Sequence, residues 1–317
     1  MKKILAASAL AALLSASVPA HASLVLTAAG IADGFTLTTT FSGGASNNYP
    51  FLSAAVLSDG KLAVVDFQNG RLVKYNDVDN QTAADALSSV AFSGAINIAN
   101  AGGKTYAASQ TQGLWEVSST LGLTAVSTPG VTFNLGLWGA PNGHLLAATN
   151  LGITDINPIT GTHTVITGAN ADGVSVSPDG QTVYAEVGGN IVAYDYTTHA
   201  LLNTFSTGVA LHNPDGTGVI SGSTLNGHVI SNNNDGTVVE IDPTTGIATV
   251  IATGGSRGDF TAADSNDGSL LLSQYGAMLR LKIAGGTIGG GTTPEPMSLA
   301  LVGIALLGAA LARRRAT

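Results

Sequence analysis

A six-bladed β-propeller is the fold this sequence predicts, and three observations predict it. Of 317 residues, 41 are Gly and none is Cys, with aromatic residues at 5%. A chain that turns so often suits short strands better than long helices, because an interior Gly costs about 1 kcal/mol relative to Ala. Hydrophobic content of 44% with only 10% charged residues excludes a disordered chain. Above all, the stretch from Phe51 to Ile283 holds six copies of one pattern, with a period of about 42 residues, the range of a propeller blade.

Each copy opens on a turn dipeptide: Asp59-Gly60, Gly102-Gly103, Asn142-Gly143, Asp179-Gly180, Asn226-Gly227 and Asp267-Gly268. Asn-Gly and Asp-Gly supply the positive φ of two-residue hairpins. A second turn follows at Gly70, Gly113, Gly152, Gly189, Gly236 and Gly276. Between the turns run short segments rich in Val, Leu, Ile and Thr, such as Leu62–Val65, Arg71–Tyr75, Thr237–Ile241 and Met278–Ile283, which read as strands. A third turn recurs as Asn157-Pro158-Ile159-Thr160-Gly161 and Asp242-Pro243-Thr244-Thr245-Gly246, followed by outer strands over 162–166 and 247–251.

Four strands per copy predict six four-stranded blades, all-β. The sixth copy ends at Ile283 after three strands, and an incomplete ring would leave sheet edges open. Gly34–Phe41, with its alternating Thr residues, is a spare strand that can complete the last blade and join the chain's two ends. Seven blades, with Leu24–Pro50 supplying more than one strand, is the alternative count. A β-sandwich and a β-helix are the alternative architectures.

The copies resemble YVTN and NHL-like propeller repeats, most clearly at Val176-Ser177-Pro178-Asp179-Gly180-Gln181-Thr182-Val183-Tyr184-Ala185 and on through Gly189–Asp195. The Trp-Asp dipeptide of WD40 repeats is absent. The resemblance implies a fold whose members bind ligands, act as scaffolds or, in a few cases, are lactonases and lyases; it does not imply one activity.

Both ends carry addresses. Lys2 and Lys3 precede an apolar run from Ile4 to Val18, and Ala20-His21-Ala22 has the small-x-small pattern of a cleavage site. Residues 1–22 read as a signal peptide cut between Ala22 and Ser23. At the other end, Pro294-Glu295-Pro296 leads into an uncharged stretch from Met297 to Ala312, then Arg313-Arg314-Arg315. An apolar helix followed at once by cations orients its basic end toward the cytoplasm. At about 1.5 Å per residue it reaches roughly 24 Å, slightly short of a full span. This order of parts resembles the PEP-CTERM sorting signal. The resemblance covers residues 294–317. It implies an exosortase-type processing enzyme, transient passage through the inner membrane, and delivery to the cell surface or extracellular matrix of a Gram-negative bacterium. A simple C-terminal membrane anchor is the alternative. Residues 284–293 read as a Gly-rich linker, leaving 23–283 for the propeller.

Losing both signals removes Lys2, Lys3 and the three terminal arginines, so 7 basic residues face about 20 acidic ones and the net charge moves from −8 to near −13. Such a surface repels phosphate backbones, which argues against nucleic-acid binding. Without Cys there are no disulfides, thiolate nucleophiles or thiolate metal sites.

Chemistry is expected where the six first strands begin, around the propeller axis. Those positions hold Asn134, Asp172, Asp215 and Asp259, with Asn97 a weaker fifth. Carboxylates converging on one axis repel each other unless a cation neutralises them, and oxygen ligands of this kind suit calcium. The alternative is that each Asp caps a local turn. His212, near Asp215, is the sole candidate general base; Glu116, Glu186 and Glu240 are placed away from the axis. Ser231–Gly236 partly imitates a calcium loop, but Asp242 stands where a bidentate Glu belongs, so a hairpin turn is preferred; Asp264, Asn266 and Asp267 read the same way. Trp115 and Trp138 are expected in the core, with a sugar-binding rim as the alternative for Trp138. The resulting expectation is an exported binding module, with exopolysaccharide or another surface protein as its partner. A metal-dependent lactonase-like hydrolase and a structural matrix protein are the alternatives, and an enzyme is the less favoured of these readings.

Overall fold

The computed structural model of the protein describes residues 23–43, 49–206 and 213–289. Six blades surround one axis. Their inner strands are Ser53–Val56, Ala95–Ala101, Phe133–Gly139, Val174–Val176, Pro214–Ser221 and Gly258–Asp264. Each contacts the next, and the last contacts the first, so the ring is closed. Every blade is an antiparallel sheet running outward from its inner strand. The first turns lie on one face, here the lower; the inner strands begin at the upper face.

The turns form for the reasons the sequence suggests. Gly60, Gly143, Gly180, Gly227 and Gly268 all have φ between 71 and 88°. In the third turns, the Gly161 amide donates to the Asn157 carbonyl and the Gly246 amide to the Asp242 carbonyl, both at 2.8 Å. The outer strands that follow are His163–Thr167 and Ala248–Thr253. In the imitation calcium loop, the Gly236 amide closes a hairpin on the Asn233 carbonyl at 3.1 Å, as the turn reading requires. Between the blades pack side chains such as Leu62, Leu145, Leu146, Ile230 and Leu270, all fully buried.

Phe35–Phe41 pairs antiparallel with Ala277–Ile283 and completes blade six, from Phe35 opposite Ile283 to Phe41 opposite Met278. The chain's first and last blade strands thus share one sheet. Phe41 reaches into blade one, stacking on Phe51 at 4.9 Å and meeting Tyr75 edge-on at 4.8 Å.

Blade five gains two strands that the repeat pattern does not contain. Val25–Leu26 adds to its outer edge against Ala252 and Thr253. Thr287–Ile288 adds to its inner edge against Ile220 and Ser221. Residues 284–289 are therefore not the free spacer expected of a Gly-rich linker. The Gly289 amide donates to the Val219 carbonyl at 2.8 Å, which seats the segment in the lower mouth of the axial channel. The signal peptide, the sorting signal, its cleavage and apolar-helix residues and His212 lie outside the described residues. No helix among the described residues is long and apolar enough to cross a membrane.

Glycine sets how closely neighbouring inner strands approach at the upper face. A Cβ on Gly173 would sit 2.0 Å from the Asp215 carbonyl oxygen, and one on Gly216 2.6 Å from that of Asp259. Only Gly lets another backbone come so near. Gly173→Ala is expected to destabilise the protein by about 3 kcal/mol, the upper range for overpacking a rigid interior. The check is the denaturant midpoint at unchanged m value.

Candidate functional site

The close approach of these glycine-bearing strands packs Asp172, Asp215 and Asp259 side by side at the upper end of the axis, on blades four, five and six. Asp215 is 1% exposed. The carboxyl groups of Asp172 and Asp215 lie close enough to act directly on one another's ionisation. Yet each keeps one oxygen, Oδ1, buried and without a hydrogen-bond partner. Asn134 stands beside them on blade three, half-buried, and the Gly136 amide of that strand donates to the Asp172 carbonyl at 2.9 Å.

Burial foremost, then mutual repulsion, raises all three carboxyl pKa values: Asp172 to about 6, Asp259 to about 7 and Asp215 to about 9. Removing a charge from water disfavours it, and a neighbouring like charge disfavours it further. Near neutral pH the cluster therefore holds protons that ordinary aspartates would have shed.

Four residues at this site were not placed there by the sequence reading. Glu186 was placed away from the axis, but its backbone is bonded to the Asp172–Gly173 segment in both directions, at 3.2 and 2.9 Å. Its own pKa is raised by burial, and its charge acts on Asp172 and Asp215. Only the curl of the hairpin brings it there, from the second strand of blade four. Asn232 is fully buried; its Nδ2 donates to the carbonyls of Asp259 and Ser273, both at 2.8 Å, while its Oδ1 has no partner. Arg257 is the counter-charge. Its guanidinium donates to Asn234 at 2.5 Å and to the Tyr275 hydroxyl at 3.2 Å, and it stands 3.9 Å from Asp215. Tyr49 packs at a tilt against Tyr275, ring centres 4.6 Å apart, and burial beside Asp259 raises its hydroxyl pKa. Tyr49 and Arg257 follow no repeat position, so nothing in the periodic pattern marks them.

The other candidates are used elsewhere. Asn97 is buried and accepts from the Ser53 hydroxyl at 2.7 Å, tying blades one and two together. Glu116 pairs with Lys104 at 2.8 Å, and Glu240 with His228. Asp264 and Asp267 bind Arg280. Trp138 does not form an upper rim: it lies about 13 Å further down its strand than Asn134, at about 3.3 Å per residue, and is 4% exposed.

Among the described residues, the partnerless side-chain atoms around the three aspartates are oxygens, the donor set of a hard cation. Two aspartate oxygens and one amide oxygen there are buried without partners, as a site for such an ion requires. Among the described residues, no three His, Asp or Glu side chains are already gathered tightly enough to cage a metal, so binding would need the carboxylates to turn inward and release their protons.

No family model and no curated protein matches the chain. Solved structures do. A gluconolactonase from Xanthomonas campestris superposes with a TM-score of 0.62 at 15% identity, over 81% of this chain and 94% of that one. A calcium-binding protein, regucalcin, from Agrobacterium tumefaciens gives 0.56 at 18%, over 80% and 97%. A streptogramin B lyase gives 0.53 at 13%, over 79% and 98%. At these identities the likeness establishes the propeller fold alone.

Proposed function

We propose that the protein is an exported, surface- or matrix-associated propeller that binds a divalent cation, calcium by preference, at the upper end of its axis. Asp172, Asp215 and Asp259 would hold the ion, with Asn134 and Asn232 as neutral oxygen donors. The observation that carries this reading is the pair of buried, unpartnered oxygens on Asp172 and Asp215. Three carboxyls and Glu186 face the single guanidinium of Arg257, and a divalent ion would offset the excess negative charge. Export and surface delivery rest on the terminal signals read from the sequence, with an exosortase-type enzyme and an exopolysaccharide or surface protein as partners.

Calcium titration of the purified protein tests the metal site. A saturable rise in Tm that a chelator reverses is the expected result; no shift at millimolar calcium would remove the cation from the proposal. A second reading is hydrolysis of a lactone or ester. Asp259, with a pKa of about 7, is poised to exchange protons near neutrality, and the fold likeness to a gluconolactonase is consistent with it. Chelator-sensitive turnover of a lactone, lost in Asp259→Asn, would favour this reading over simple binding.

A further inference from the structure

The lower mouth of the channel carries a second site of opposite character. A cavity of about 540 Å³ opens there between the inner strands of blades one, two, three and six. This volume is in the range of small-molecule sites, about 300–1,000 Å³. Its wall includes Val56, Ile98, Ala99, Leu137, Trp138 and Ala263, and no residue lining it carries a charge. In a chain of net charge −8, with an Asp in three of the six first turns on this face, an uncharged patch of this size stands apart.

The polar groups in the wall are largely committed to the protein. The Asn100 amide donates to the Val56 carbonyl at 2.7 Å and to the Thr105 hydroxyl at 2.9 Å, and its oxygen accepts from the Val56 amide. The Thr105 hydroxyl donates to the same carbonyl at 2.9 Å. What remains facing the cavity is mostly aliphatic surface and indole, with free side-chain hydroxyls from Ser58 and Ser265 and backbone groups of the lining strands and turns. The wall is also braced from behind. Gly289, where the added inner strand of blade five ends, lies so close to Trp138 and Ala263 that a Cβ there would sit 2.8 and 2.9 Å from them. Gly289 thereby holds the indole in place.

We propose that this cavity is a binding site for an uncharged small molecule with a flat apolar face, an aromatic or fused-ring compound. A charged ligand would lose its hydration with no counter-charge to replace it. A sugar would find free side-chain hydroxyls only on Ser58 and Ser265. An apolar face would cover the aliphatic wall and rest on the indole. The site is separate from the carboxylate cluster, which draws on blades four, five and six at the other end of the axis.

N-phenyl-1-naphthylamine, an uncharged aromatic dye that absorbs where indole emits, is the probe. The Trp115→Phe variant leaves Trp138 as the only tryptophan. Titrating the dye into that protein is expected to give saturable energy transfer from Trp138 with one dye bound per chain. Ala99→Phe or Ser58→Phe, each filling the cavity from a different blade, should weaken it at least tenfold while cooperative unfolding stays at the parent Tm. Transfer that does not saturate, or that survives both filling variants, would overturn the proposal. So would displacement of the dye by glucose, which would mark a saccharide site.

Discussion

Replacing Arg280 with Ala should be among the most destabilising single changes in this protein, costing about 3–5 kcal/mol, the range for breaking a buried charge network by removing one partner. Arg280 is 3% exposed and sits on the third strand of blade six. Its guanidinium reaches four carboxylates: Asp77 and Asp79 from blade one, and Asp264 and Asp267 from blade six, at 2.5–3.0 Å. Burial opposes its charge, but the carboxylates, Asp264 foremost, outweigh burial and hold its pKa above the usual value. The same loop of blade one grips the closing strand. The amides of Asn80 and Gln81 donate to the carbonyls of Thr39 and Thr40, at 2.8 and 2.9 Å. Arg280 therefore fastens the seam where the ring is closed, and its loss leaves Asp264, fully buried, and Asp77, nearly so, without their cation. The Tm should fall by roughly 10 °C, taking about 2–4 °C per kcal/mol for a domain of this size. Asp79→Asn, at the solvent side of the cluster, should cost under about 1 kcal/mol. Equal losses in both variants would refute the clasp.

Asp215→Asn should do two opposite things: stabilise the metal-free protein at alkaline pH and abolish its response to calcium. In the unfolded chain an aspartate titrates near 3.8, whereas native Asp172, Asp259 and Asp215 hold their protons to about 6, 7 and 9. The native state thus binds more protons than the unfolded state between about pH 4 and 9, and stability falls as pH rises through that window. The contribution is complete below pH 4 and gone above 9. Asp264 and Asp172, both raised to about 6, add to the slope mainly at its acid end, so Tm measured from pH 7 to 9 reports chiefly on Asp259 and Asp215. In the parent without metal, Tm should drop across that range, and calcium should flatten the drop by neutralising the ionised carboxylates. In Asp215→Asn the slope should be shallow with or without calcium. A parent whose Tm is flat from pH 7 to 9 after chelation would contradict the raised carboxyl values. A variant that still responds fully to calcium would place the ion elsewhere.

Much of the fold was legible because a propeller writes itself into sequence as a period. Glycines at positive φ mark the turns, and short Val-, Leu- and Ile-rich runs between them can bury only as stacked sheets. The closing strand was legible too, since a three-stranded last blade requires a fourth. The carboxylate positions followed from the same period: Asp172, Asp215 and Asp259 recur at one place in three copies. The residues that complete the site did not. Glu186, Asn232, Arg257 and Tyr49 reach it from second strands and loops that keep no common spacing. The fate of residues 284–289 was hidden for a related reason. A Gly-rich composition is the same for a free spacer and for a segment that must pass tightly over Trp138.

The sequence by itself determined the blade, its number of copies and the place where the ring shuts, because strand period and turn chemistry are local and each copy restates them. Only the tertiary structure decided what the ring encloses: an acidic cluster short of hydrogen-bond partners at one end and an uncharged cavity at the other. Burial, charge repulsion and open volume arise between blades, from residues far apart in the chain, and no local pattern encodes how closely six separate strands will approach one axis.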